Sequence, residues 1–222
     1  MTAPGGGPRV ASASAALLAP VAAYYTQRIQ RYGATPLGVD WSCVPTQEMR
    51  FVQLLKLCDF SDGFSLNDVG CGYGALLSLL ARRHRRLQID YEGTDLSEEM
   101  IPAASRRWAP HRTAHFRVGR DAMRIADYSV ASGVFNVKLD APEKAWKRDI
   151  QQSLQCMRSN SRRGLAVNFI EAAGRPESRI PQLYYADPQW WARHCERNLG
   201  VDVQILSGYG LQEFTLLMHC RD

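Results

Sequence analysis

A chain of 222 residues, 45% of them hydrophobic, is long enough to bury one sizeable core and too short for two ordinary domains. Its net charge of +5 is collected in the short groups Arg82-Arg83-His84-Arg85-Arg86, Arg106-Arg107 and Arg162-Arg163, with no aromatics interleaved as in a stacking platform, so nucleic acid is a disfavoured partner. No apolar stretch approaches the roughly 20 residues that a membrane-spanning helix needs, so a soluble protein with no membrane partner is expected.

The six cysteines are scattered without a Cys-x-x-Cys pair, which fits a reduced, cytoplasmic compartment and no zinc or other metal site. Residues 1–9, rich in glycine and proline, read as a disordered tail and carry no basic segment of a secretory signal. From Val10 to Tyr32 the alanine-rich pattern predicts a helix, broken or kinked at Pro20 and capped by Gly33. A second helix is expected from about Pro45 to Cys58, where Met49, Val52, Leu54, Leu55 and Leu57 recur at near-helical spacing. Residues 10–62 are therefore a candidate helical lid over the domain of residues 63–222.

From Phe64 the pattern alternates strand and helix, as in a mostly parallel sheet with helices on both faces. Strands are expected over Ser65–Val69, Gln88–Gly93, Ala114–Val118, Tyr128–Val137 and Gly164–Ile170. The intervening helices start at Ala75, at Ser97 as an N-cap, and near Pro142, the last with Trp146, Ile150, Leu154 and Met157 on one face. Residues 171–187 lack periodicity and read as a functional loop. Asp187 with Pro188 starts a further helix, and Val201–Leu206 and Glu213–His219 form a closing strand pair.

Asp68-Val69-Gly70-Cys71-Gly72-Tyr73-Gly74 stands between the first strand and its helix. Glycine is needed where a side chain would block close approach of a ligand to backbone N–H groups and a helix N-terminus. The spacing Asp-x-Gly-x-Gly-x-Gly lacks the Lys-Ser/Thr of a P-loop, and its third glycine comes one residue too early for a dinucleotide loop. Asp95 follows Gly74 by 21 residues, close to where dinucleotide folds place a ribose-binding acid. Asp121 follows the third strand, and open parallel sheets bind ligands at these strand ends. Taken singly, each acid reads equally as a solvated loop carboxylate or a helix cap.

The loop with these acids resembles motif I and its companions in the class I S-adenosylmethionine (SAM) methyltransferases, most specifically over Leu66–Asn136 and loosely through the two last strands. That resemblance implies a Rossmann-like α/β fold with seven strands, mostly parallel, an antiparallel C-terminal strand, and extra N-terminal helices. It implies SAM as cofactor, with its methionine end curled into Gly70, Cys71, Gly72, Tyr73 and Gly74. Asp68 would hold the loop or the cofactor's ammonium through water, Asp95 with Leu96 the ribose, and Asp121 with Ala122 the adenine amino group.

The chain lacks the Asp/Asn-Pro-Pro-Tyr/Phe tetrad of many amino-group and DNA methyltransferases; Ser132-Gly133-Val134-Phe135-Asn136 stands in its place. The expected activity is methyl transfer to a small-molecule metabolite or natural-product intermediate. Asn136, Tyr25, Tyr184 and Tyr185 are the candidate catalytic residues, since an amide can orient a substrate and aromatic faces attract a sulfonium. A weaker resemblance, to SAM cyclases on the same fold, implies a different reaction, in which SAM is converted to azetidine-2-carboxylate and methylthioadenosine. A SAM-binding regulator without enzymatic activity is a third reading.

Overall fold

The computed structural model describes residues 8–172 and 179–221. A long helix α1 (Pro8–Tyr32), a 3-10 turn (Pro36–Val39) and helix α2 (Val44–Leu55) precede the first strand. The alternating part then runs β1 (Phe64–Val69), α3 (Ala75–Arg83), β2 (Ile89–Asp95), α4 (Met100–Trp108), β3 (Ala114–Val118), β4 (Ala126–Ala131), α5 (Glu143–Ser159) and β5 (Ser161–Glu171). It closes with β6 (Tyr185–Ala186), α6 (Pro188–Leu199), β7 (Val201–Leu206) and β8 (Glu213–Cys220).

The sheet order is β3-β2-β1-β4-β5-β8-β7, with the short β6 beside the end of β5. The first five strands pair in parallel, and β8 is antiparallel to both β5 and β7. Strand order reverses between β1 and β4, so their carboxyl ends open a crevice at the switch point. Both faces of the sheet are covered. On one, Leu18 and Val21 of α1 join Trp146, Ile150, Leu154 and Met157 of α5 and Trp191 of α6 over Val167 and Phe169 of β5. On the other, Phe51 and Leu54 of α2 pack with Leu76, Leu77 and Leu80 of α3 against Leu66, Tyr91 and Val130.

Most elements form where the pattern predicts them, and local chemistry explains the departures. Helix α1 continues through Pro20 without a break. The fourth strand ends at Ala131, earlier than the apolar run suggests, because Gly133 takes a left-handed φ of 73° and turns the chain out of the sheet. Ser97 does not cap α4, which starts at Met100; its N–H donates to Asp95 Oδ1 at 2.9 Å and its hydroxyl accepts from Glu99 N at 3.3 Å. Asp187 does cap α6, accepting from Trp190 N at 2.8 Å, with Pro188 at the first helical position. Of the expected tail, residues 1–7 lie outside the described residues, as do residues 173–178 of the late loop. No described helix is long and apolar enough to cross a membrane.

Candidate active site

The glycine loop leaves β1 at the switch point, and its backbone is tied across to β2. Gly70 N and Cys71 N both donate to Thr94 O, at 2.8 and 2.9 Å, and Gly72 N donates to the Asp95 carboxylate Oδ2 at 2.9 Å. Gly70 has φ 72°, and a Cβ there would lie 2.3 Å from Val134 Cγ2, so the loop and the turn after β4 meet with room for glycine alone. Trp108 Nε1 donates to Gly74 O at 3.0 Å and fixes the loop's last residue at the start of α3. The sequence folds this way because β1 and β2 pair residue for residue from Phe64↔Ile89 to Val69↔Thr94, which brings Asp95 level with the loop.

Asp68, Asp95 and Asp121 titrate upward, and burial is the leading cause. Asp95 is raised by desolvation, against the stabilising N–H groups of Ser97, Gly72 and Leu96. Asp68, almost without exposure, is pushed up to about 7 by burial; the Tyr91 hydroxyl that donates to it works the other way, and the Asp95 charge adds to the rise. Asp121 is raised by burial, opposed by the Arg120 guanidinium 3.5 Å away and by the Ser153 hydroxyl, which donates at 3.2 Å.

Asp68 and Asp95 line a cavity that opens at the switch point beside the glycine loop. Of the sequence-predicted residues it brings together Asp68, Gly70, Cys71, Gly72, Tyr73, Asp95, Leu96 and Tyr25. The N-terminal helices supply its roof: Leu18, Val21, Ala22 and Tyr25 of α1, Val39 and Trp41 of the connection, and Gln47 and Phe51 of α2. Burial raises the Tyr25 hydroxyl well above its ordinary value, which keeps it a neutral donor. Tyr73 OH donates to Gln47 Oε1 at 3.2 Å, joining loop and roof.

The remaining predicted residues stand off the cavity wall. Gly74 begins α3 behind the loop. Asp121 pairs with Arg120 and Ser153, and Ala122 is buried in the core against α5, so Arg120 and Gly119 line the cavity in their place. Asn136 Oδ1 accepts from Ile170 N at 3.1 Å, and its Nδ2 has no partner among the described residues. Tyr184 is buried in the core, where its hydroxyl accepts from Trp191 Nε1 at 3.1 Å. The Tyr185 hydroxyl accepts from Ile180 N at 3.1 Å at the strand edge. These side chains satisfy the fold's own donors, which a pattern of polar and aromatic residues near strand ends does not distinguish from ligand contact.

Sequence reasoning missed Trp41, Phe51, Arg120, Asp149 and Ser153 as lining residues. The residues of α5 were legible only as a packing face: Asp149 and Ser153 lie on the same side as Trp146 and Ile150 and reach the cavity through Arg120, whose Nη1 is 3.0 Å from Asp149 Oδ1.

The glycine cradle and the paired N–H and carboxylate of Gly72 and Asp95 fit an amino-acid nucleoside such as SAM. A family model described as a methyltransferase domain matches residues 67–164. The Mycobacterium tuberculosis (strain ATCC 25618 / H37Rv) protein Rv1506c, named as a methyltransferase without firmer assignment, is 40% identical over 164 residues, covering 74% of this chain and 98% of its own. Among solved structures, magnesium protoporphyrin IX methyltransferase from Synechocystis PCC 6803 with bound S-adenosylhomocysteine (SAH) is similar at a TM-score of 0.59 and 16% identity, over 80% of this chain and 83% of that one. Haemonchus contortus phosphoethanolamine N-methyltransferase 1, with phosphoethanolamine and SAH, is similar at a TM-score of 0.68 and 12% identity, over 90% of this chain and 48% of that one.

Proposed function

The chain belongs to the SAM-dependent methyltransferases of class I fold, and on that footing we propose that it methylates an uncharged, largely apolar small molecule, a metabolite or natural-product intermediate, through an amine or hydroxyl. The observation that carries this reading is the cavity lining itself. Among the described residues its only cation is Arg120, already paired with Asp149 at 3.0 Å, while Leu18, Val21, Val39, Trp41, Phe51 and Phe135 supply apolar surface. A carboxylate or phosphate acceptor would find no free positive charge there.

When bound, SAM supplies a methyl group on a positively charged sulfur. Asp95 is placed to accept from ribose hydroxyls while still holding Gly72 N, and Gly70 to Tyr73 are placed to cradle the methionine end. Asp68 would face the cofactor's ammonium, and Leu96 and Gly119, which also line the cavity, would flank the flat base. The roof of α1 and α2 shields the reacting centre from water and restricts the acceptor's approach, which suits an in-line displacement governed by positioning. Tyr25, alone among the candidate catalytic residues on the cavity wall, is placed to donate a hydrogen bond to the acceptor. Asn136, Tyr184 and Tyr185 serve the fold in this reading, and Asp121 with Ala122 supports the adenine end from behind Arg120.

Product analysis tests the proposal. The purified protein is incubated with SAM alone and with SAM plus fractionated small-molecule extracts. SAH formed together with a methylated compound, and dependent on a fraction, is the expected result. Methylthioadenosine appearing without any acceptor overturns it in favour of attack at the γ-carbon.

A further inference from the structure

A chain of buried polar contacts joins the roof to the turn after β4. Arg50 of α2 donates from Nε to both Glu213 carboxylate oxygens at 2.9 Å and from Nη1 to Thr46 O at 2.7 Å, and its guanidinium lies 3.7 Å from the centroid of the Trp41 ring. Glu213 Oε2 accepts from Asn168 Nδ2 at 2.8 Å, and Asn168 Oδ1 accepts from Gly133 N at 2.8 Å. Arg50, Glu213 and Asn168 are 7%, 4% and 0% exposed.

The chain has a direction. An ionised carboxylate only accepts, so Glu213 forces the Asn168 amide to present its NH2 inward and its oxygen to Gly133. It also closes on itself, because a Cβ on Gly133 would lie 2.3 Å from Trp41 Cζ2. Trp41 and Gly133 both line the cavity, and Val134, the next residue, fills the space beside Gly70. Replacing a buried ion pair by apolar residues of similar volume is often neutral or stabilising, so fold stability alone is a weak reason for this arrangement.

We propose that Arg50, Glu213 and Asn168 are positioning residues: they preset Trp41 and the Gly133-Val134 turn as the wall against which the cofactor is bound beside the glycine loop. The inference rests on the cavity being a SAM site. Arg50 sets the plane of the indole by stacking, and Asn168 sets the turn by accepting from Gly133 N.

The test measures SAH affinity by calorimetry, well below each protein's thermal midpoint, for the wild type, the double variant Arg50→Met/Glu213→Leu, Trp41→Leu and Trp41→Phe. Removing both charges together avoids a stranded buried ion. Loss of affinity by about tenfold to a hundredfold is expected for the double variant and for Trp41→Leu, as for misplacement of a positioned group. Trp41→Phe keeps an aromatic face under Arg50 and retains most of the affinity, which a purely space-filling role for Trp41 would not require. Folded variants that all bind SAH like the wild type overturn the proposal. Should the double variant not fold, Trp41→Leu and Trp41→Phe decide it by the same readout, since both keep the Arg50–Glu213 ion pair. A wild type that binds no SAH would overturn the SAM-site reading itself, a result distinct from equal binding by all four.

Discussion

The Tyr91 hydroxyl donates to the Asp68 carboxylate between adjacent strands of the sheet, under the first residue of the glycine loop, where neither side chain reaches bulk water. This pair makes the stability of the ligand-free protein depend on pH in a definite direction. The Asp68 pKa stands at about 7 in the fold against 3.8 for a free side chain, so the folded state holds a proton that the unfolded state releases. The contribution of Asp68 is then most favourable below pH 4, declines as the pH rises from about 4 to about 7, and is level above that. Asp68→Asn should flatten this part of the profile and raise the thermal midpoint at pH 8 relative to the wild type. A midpoint difference between the two proteins that stays constant from pH 4 to pH 8 would show that the carboxyl is ionised throughout.

Gly70 and Val134 share one space. Gly70→Ala should cost about 1–3 kcal/mol, from a left-handed φ for a residue with a Cβ and from the clash with Val134 Cγ2. The double variant Gly70→Ala/Val134→Ala should recover part of that loss by removing the clash and leaving the backbone strain. Chemical denaturation of both reads the difference; equal losses in the single and double variants would mean that Val134 does not pack on the loop.

Tyr25 and Tyr184 separate two kinds of tyrosine that the sequence does not tell apart. Tyr184→Phe strands the Trp191 N–H in the core and should cost about 1–3 kcal/mol in stability while leaving SAH affinity unchanged. Tyr25→Phe should leave the unfolding free energy within about 0.5 kcal/mol of wild type, as Tyr25 lines the cavity, and should lower turnover once an acceptor is in hand. The reverse pattern would move the acceptor side of the site to the late loop.

What the sequence made legible follows from how locally each feature is encoded. Asp187-Pro188 specifies a helix start within two residues, and the repeat of Trp146, Ile150, Leu154 and Met157 specifies a buried face; both appear in the fold. The glycine loop and Asp95 were legible because a backbone conformation and an acid at a fixed spacing are needed together. Asn136 and Tyr184 lie off the cavity wall, and in sequence a polar side chain near a strand end looks the same whether it meets a ligand or an internal N–H. Trp41 and Asp149 were not legible as cavity groups, nor Arg50 as the support behind Trp41, since each depends on pairings between residues far apart in the chain: Trp41 with Gly133, Asp149 with Arg120, and Arg50 with Glu213. Residues of α1 and α2 are among those that line the cavity.

The central claim is that Asp95 at the end of β2 holds the ribose of a cofactor whose methionine end lies in the glycine loop. Calorimetric titration of SAH into the wild-type protein and into Asp95→Ala, with the fold of the variant checked by circular dichroism, tests it most directly. The account predicts one-to-one binding by the wild type and an affinity lower by about tenfold to a hundredfold in the variant, the loss of hydrogen bonds to a charged acceptor. Equal affinity in the two proteins, or no binding by the wild type, would contradict it.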